Sequence, residues 1–156
     1  MEDIQTLRRI LAENKTIAIV GLSDKWHRPS NFAAKYLKDH GYKIIPVNPG
    51  QKEILGEKCY PSLLDIPEKV DVVDIFRKPA DVPPIVDDAI KIGARVVWMQ
   101  IGVINEEAAK KARDAGLEVV MNRCMKIEHA RLFGGINFIG VHRGFLSSKR
   151  SKWLPY

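Results

Sequence analysis

The chain predicts a doubly wound α/β domain: a five-stranded, mainly parallel sheet with helices on both faces. Three observations carry that prediction. Five short apolar runs alternate with helical patterns along the 156 residues. These runs are nearly continuous in Val and Ile, as in strands buried on both faces, where half-solvated strands would alternate with polar residues. Glycines fall where helical patterns should end, just before the next apolar run. A content of 46% hydrophobic and 28% charged side chains suits one globular domain with a substantial core.

Asp3 is placed to cap an opening helix whose Ile4, Leu7, Ile10 and Leu11 share one face. The first strand is Thr16–Val20. Ser30 or Asn31 is expected to cap a helix running through Lys38, in which Phe32, Tyr36 and Leu37 are apolar and Gly41 provides the left-handed exit. Tyr42–Val47 follows as a second strand. Residues 48–69 read as irregular, broken by Pro49-Gly50, Gly56, Pro61 and Pro67, with a turn of helix at Ser62–Asp65. Asp71–Phe76 is the third strand. Pro83 and Pro84 fit only the first turn of a helix around Val82–Ile92, which Gly93 closes. Arg95–Gln100 makes the fourth strand. Asn105 caps the next helix, whose Glu106 and Glu107 suit the positive end of the helix dipole. Gly116 ends it before a fifth strand at Glu118–Met121. Residues 1–142 therefore read as a single domain, and residues 143–156 as a basic tail.

The formal charge of +6 is concentrated in that tail. Four of the 25 basic residues (Arg143, Lys149, Arg150, Lys152) and none of the 19 acidic ones lie from Arg143 onward, leaving 21 against 19 before it. Ser147-Ser148, Trp153 and Tyr156 give the tail features that could touch RNA, but solvated tails of this composition are commoner. No recognised nucleic-acid motif accompanies it, so nucleic acid is not the expected partner. The acidic start lacks the order of a secretory signal, and no run approaches the roughly 20 apolar residues that span a bilayer. A cytoplasmic location is expected, with no membrane partner. Cys59 and Cys124 form neither a disulfide framework nor a zinc site, and no metal site is expected. The amphipathic first helix leaves room for a homodimer.

Chemistry is expected at the carboxyl ends of the strands, where a doubly wound sheet holds its ligand. The passage Thr16-Ile-Ala-Ile-Val-Gly-Leu-Ser23 runs a strand into a glycine, then into Lys25 and Arg28, then into a helix start. Unpaired backbone N–H groups at such a start attract anions, so the passage reads as a phosphate seat. A nicotinamide or flavin dinucleotide would need G-x-G-x-x-G there and a carboxylate after the second strand. This chain has Gly21 followed by Ser23 and Trp26, and Val47-Asn48-Pro49 ends the second strand. Both tests fail, and the Walker pattern is absent too. Lys25, Arg28, Arg77 and Lys78 could satisfy more phosphate than a plain dinucleotide carries. Coenzyme A (CoA), with a 3′-phosphate beside its diphosphate, meets that demand.

The order Val20-Gly-Leu-Ser23, Arg28-Pro-Ser30, Val47-Asn-Pro49, Phe76-Arg-Lys-Pro79 with Val82-Pro83, Trp98-Met-Gln-Ile-Gly102 and Asn122-Arg-Cys-Met-Lys-Ile-Glu-His129 resembles the small stand-alone CoA-binding proteins. These are similar to the N-terminal domain of the succinyl-CoA synthetase α subunit. The resemblance spans about residues 10–135 and implies a Rossmann-like, CoA-binding fold. It assigns Gly21, Ser23, Arg28 and Ser30 to the phosphates, and Asn48 and Pro49 to the adenosine. Phe76, Arg77 and Val82 would surround the adenine and its phosphate, with Gln100, Ile101 and Gly102 along the pantetheine arm. Residue by residue, Gly21 could equally be a plain tight turn, Arg28 an exposed cation, Gly102 loop punctuation, and Phe76 and Val82 core. The hydroxyl of Ser23 and the guanidinium of Arg28 are what a mere turn does not require.

Succinyl-CoA synthetase works through a phosphorylated histidine in a further domain and through a partner subunit. This chain is too short for either, and His27, His40, His129 and His142 stand in no matching context. Binding of CoA or an acyl-CoA as a carrier, sensor or regulatory module is therefore expected, without complete ligase activity. An NAD(P)-dependent oxidoreductase is the competing class. Cys124, beside Arg123 and Lys126 near a helix start, is expected to have a lowered pKa. It could be an inert thiol, form a mixed disulfide with CoA, or accept an acyl group with help from His129. In a helix those two residues lie about 140° apart, so local geometry does not pair them.

Overall fold

The structure, a computed structural model, describes residues 3–134; the tail at 143–156 and His142 lie outside the described residues. The elements run α1 (Ile4–Glu13), β1 (Thr16–Val20), α2 (Pro29–Asp39), β2 (Lys43–Val47), β3 (Glu53–Ile54), β4 (Glu57–Lys58), β5 (Val72–Ile75), α3 (Val82–Lys91), β6 (Val96–Met99), α4 (Glu106–Asp114), β7 (Glu118–Val120) and α5 (Met125–Phe133). Five strands form one sheet in the order β2-β1-β5-β6-β7, parallel throughout. The chain winds one way from β1 to β2 and the other way from β5 onward. Strand order thus reverses between β1 and β5, and the loops there part to open a crevice.

Alternation along each strand feeds two cores. Ala18, Val20, Val73, Ile75, Val97 and Met99 pack with Val82, Val86 and Ala89 of α3 and with Ala108, Ala109 and Ala112 of α4. Ile17, Ile19, Ile44, Val72, Trp98 and Val120 pack with Leu7, Ile10 and Leu11 of α1, Ala34 and Leu37 of α2, and Met125 and Leu132 of α5. Between its ends the sheet is therefore apolar on both sides except at Asp74 within β5. Asp3 caps α1 and Asn105 caps α4, each through its side chain, and Pro83 and Pro84 sit in the first turn of α3.

Two local expectations need correction. Helix α2 starts at Pro29 with Arg28 as its N-cap, so Ser30 and Asn31 lie inside its first turn. Proline suits the first helical position because its φ is preset and its missing N–H would be unpaired anyway. The Ser30 and Asn31 side chains bond instead to the preceding loop. Within 48–69, read as irregular, β3 and β4 form a small antiparallel hairpin. Its two-residue turn places Leu55 at φ 54° and Gly56 at φ 76°, the pattern that matches strand twist. Ser62 caps a short 3₁₀ turn at Leu63–Asp65, in the expected place. Among the described residues no helix is long and apolar enough to cross a membrane.

Candidate functional site

The carboxyl end of β1 passes tightly between its neighbours. Gly21 has φ +86°, and a Cβ there would lie 2.4 Å from the Phe76 carbonyl oxygen. Its N–H donates to the Val47 carbonyl at 3.0 Å. The amide is thus committed to the sheet, and the absence of a side chain is what lets the Phe76 carbonyl approach.

The loop that follows is built from its own polar groups. Ser23 N–H donates to Ser30 Oγ at 3.0 Å, Lys25 N–H donates to Ser23 Oγ at 3.1 Å, and Asn31 Nδ2 donates to the Ser23 carbonyl at 2.8 Å. Asn48 ties in the loop after β2, with Nδ2 donating to the Leu22 carbonyl at 3.0 Å and Oδ1 accepting from Gly50 N–H at 2.8 Å. Ser23, Ser30 and Asn48 therefore shape the loop whatever else they touch. Arg28 is exposed at the N-terminus of α2, and Trp26 is 76% exposed beside it.

Two clefts flank the β5–α3 loop. The larger, about 900 Å³, is lined by Pro29 at the start of α2, by Phe76, Arg77 and Lys78, by Gln100, Ile101 and Gly102, and by Cys124 and Ile127 at the start of α5. The smaller, about 320 Å³, is lined by Val47, Pro49, Ser62, Arg77, Ala80, Asp81, Pro84 and Ile85 among others. Arg77 and Asp81 border both, and the Arg77 guanidinium donates to Asp81 at 3.1 Å. Seven of the residues proposed from sequence, Lys78 and Cys124 among them, thus meet in the larger cleft, and Pro49 joins Arg77 in the smaller. Val82 lies fully buried in the core and lines neither. Gly102, at φ +82°, donates its N–H to Asn122 Oδ1 at 2.9 Å, which holds the loops after β6 and β7 together.

Beneath the larger cleft lies a residue that sequence reasoning passed over. Asp74, in the middle of β5, is fully buried, and its Oδ1 accepts from Gln100 Nε2 at 2.5 Å. Its Oδ2 has no hydrogen-bond partner among the described residues. Burial raises its pKa to about 7, with the Gln100 hydrogen bond opposing the rise. The signal was a lone carboxylate inside Val72-Val-Asp-Ile75, a run otherwise wholly apolar.

Cys124 is the N-cap residue of α5. Its thiol pKa is raised, first by burial and further by the Asp74 charge. The expected lowering by helix start and cations is overturned, because desolvation outweighs the α5 amides and Lys126. His129 lies away from the cleft. Its Nδ1 shares a 3.0 Å hydrogen bond with the Tyr36 hydroxyl, and its ring packs among Tyr36, His40, Tyr42 and Phe133. Burial holds its pKa down near 4. Among the described residues no group of three or more His, Cys, Asp or Glu could hold a metal ion.

Helix starts, cations and apolar walls converge here at the switch point of a parallel sheet, which defines the chain as a doubly wound α/β domain with its clefts at the carboxyl ends of the strands. The family model described as "CoA binding domain" matches residues 15–130, and the chain belongs to that family. It is 40% identical over 124 residues to the uncharacterized protein YneT of Bacillus subtilis, covering 80% of this chain and 92% of that one. It is 31% identical over 138 residues to an ADP-forming acetate–CoA ligase of Archaeoglobus fulgidus, covering 86% of this chain but only 20% of the ligase. Among solved structures, a hypothetical protein from Pyrococcus horikoshii superimposes with a TM-score of 0.83 at 53% identity, covering 85% of this chain and 94% of that one.

Proposed function

We propose that this chain binds coenzyme A or an acyl-CoA along the carboxyl edge of its sheet, as a carrier, sensor or regulatory module that does not complete a ligase reaction. The observation that carries the reading is the pair of clefts joined at Arg77. The smaller suits an adenosine between Pro49 and Pro84. The larger, with Arg77 and Lys78 at one side and Phe76, Ile101 and Ile127 as apolar walls, suits diphosphate and pantetheine. Gly21 keeps the crossing between strand ends clear, and Arg28 stands at the helix start where phosphate is favoured. Family membership and the match to one fifth of a CoA ligase support the same ligand.

A nicotinamide dinucleotide is disfavoured, since β2 ends in Val47-Asn48 with no carboxylate for a ribose. Thermal melting separates the two classes. Millimolar CoA should raise the melting temperature, by an amount that grows with the logarithm of its concentration, and NAD(H) or NADP(H) should not. A protein whose melting ignores CoA but responds to a dinucleotide would overturn the reading.

A further inference from the structure

Resting on that reading, we propose that Cys124, Gln100 and Asp74 form a thiol-exchange centre in the larger cleft: the Cys124 thiol takes one half of a disulfide of a pantetheine-type thiol, and Asp74 handles the proton. Cys124 and Gln100 both line the cleft, at the end where the pantetheine arm would terminate. Asp74 is fully buried behind the lining, held on one oxygen by Gln100 and without a hydrogen-bond partner on the other among the described residues. An unpaired buried carboxylate oxygen is costly, and this one belongs to a carboxylate tied directly to the cleft-lining Gln100. Its charge reaches the Cys124 thiol. Cys59 makes the contrast: it is buried, lines neither cleft, and its Sγ donates to the Asn48 carbonyl at 3.3 Å.

The step balances without an outside oxidant. Cys124 Sγ passes its proton to Asp74, and the thiolate attacks one sulfur of the disulfide. A Cys124 Sγ–S bond forms as the original S–S bond breaks, and the departing thiolate recovers the proton from Asp74 and leaves as a thiol. Cys124 is oxidised to the mixed disulfide, and the released half is reduced. Burial leaves little Cys124 thiolate at neutral pH, so a neighbouring base is what the reaction needs. A carboxylate titrating near 7 is poised for that work. The charged groups lining this cleft are Arg77, Lys78 and Asp81 in the β5–α3 loop, and Lys126 on α5 acts on Cys124 from outside the lining; β1 and β6 set Ile19 and Trp98 beside Asp74.

The probe is CoA disulfide, added to the reduced full chain and followed by intact mass and peptide mapping. One CoA adduct should appear on Cys124, be removed by dithiothreitol, and be absent from Cys124→Ser. Asp74→Asn should form it about tenfold to a hundredfold more slowly at pH 7 and lose the wild-type rise in rate through pH 7. Should Asp74→Asn not fold, the wild-type inflection near pH 7 carries the same test. Calorimetry with reduced CoA on wild type and Cys124→Ser separates the two claims. A wild type that binds CoA but stays unmodified, reacts at Cys59, or reacts equally fast as Asp74→Asn overturns the exchange centre alone. A chain that binds no CoA overturns both.

Discussion

Gly21 and the Phe76 carbonyl stand so close that any side chain at position 21 would collide with the backbone of the neighbouring strand, its Cβ 2.4 Å from the oxygen. Here a positive φ and a close approach coincide. Gly21→Ala should therefore destabilise the fold by roughly 2–4 kcal/mol, combining left-handed strain with overpacking. Urea unfolding checks this. A loss below about 1 kcal/mol would mean that the strand ends separate easily.

Arg77→Met should weaken CoA binding by roughly tenfold to a hundredfold, as expected for loss of a charge-assisted phosphate contact. Stability should barely change, because the Arg77–Asp81 pair is largely solvent-exposed. Calorimetry at two salt concentrations is the measurement, and the variant should show a shallower salt dependence than wild type.

Asp74 and His129 should tilt the pH–stability curve in opposite directions. The folded pKa of Asp74 is raised, to about 7, so its contribution is fully present below about pH 4 and is lost as pH rises through 7. The folded pKa of His129 is depressed, to about 4, so its contribution is present above about pH 6.5 and is lost as pH falls through 4. Each spans on the order of 3 kcal/mol, and between pH 4 and 6.5 they nearly offset. Asp74→Asn should steepen the loss of stability in acid, and His129→Gln should produce a loss on going from pH 4 to 7. Urea midpoints across that range report both slopes.

Glu128→Ala should cost about 2–4 kcal/mol. The buried Glu128 carboxylate receives Arg131 at 2.5 Å and Arg123 at 3.3 Å, and its removal leaves two half-buried guanidinium groups without their partner. Glu128→Gln, which preserves shape and acceptor, should cost less. Thermal melts of the two variants side by side give the comparison.

The sheet was legible because five Val/Ile runs have no other use in a chain of this length, and their alternation with helical patterns leaves one architecture. Gly21 stood out as the turn after the first run. The hairpin at 53–58 did not, since Leu55 occupies a left-handed position usually marked by Asn or Asp. Cys124 was misjudged because its burial, which outweighs the α5 amides and the nearby Lys126, depends on tertiary packing and not on the adjacent residues. Arg123 is spent on Glu128, while Lys126 lies over the rings of Phe32 and Tyr36. Ser23, Ser30 and Asn48 were legible as a polar group at the site, but their bonds within the loop depend on tertiary placement that no local spacing encodes.

Arg77 borders both clefts, so ligands proposed for the two would share one guanidinium. Two separate anions, one in each cleft, would compete for a single guanidinium, so binding of the first would weaken the second, and reciprocally. One molecule long enough to cross the β5–α3 loop escapes that competition, because its single set of charges serves both sides and its second half arrives already tethered. On the proposed reading, the carboxyl edge would tell one long ligand from two short ones, by antagonism between the fragments and reinforcement within the whole.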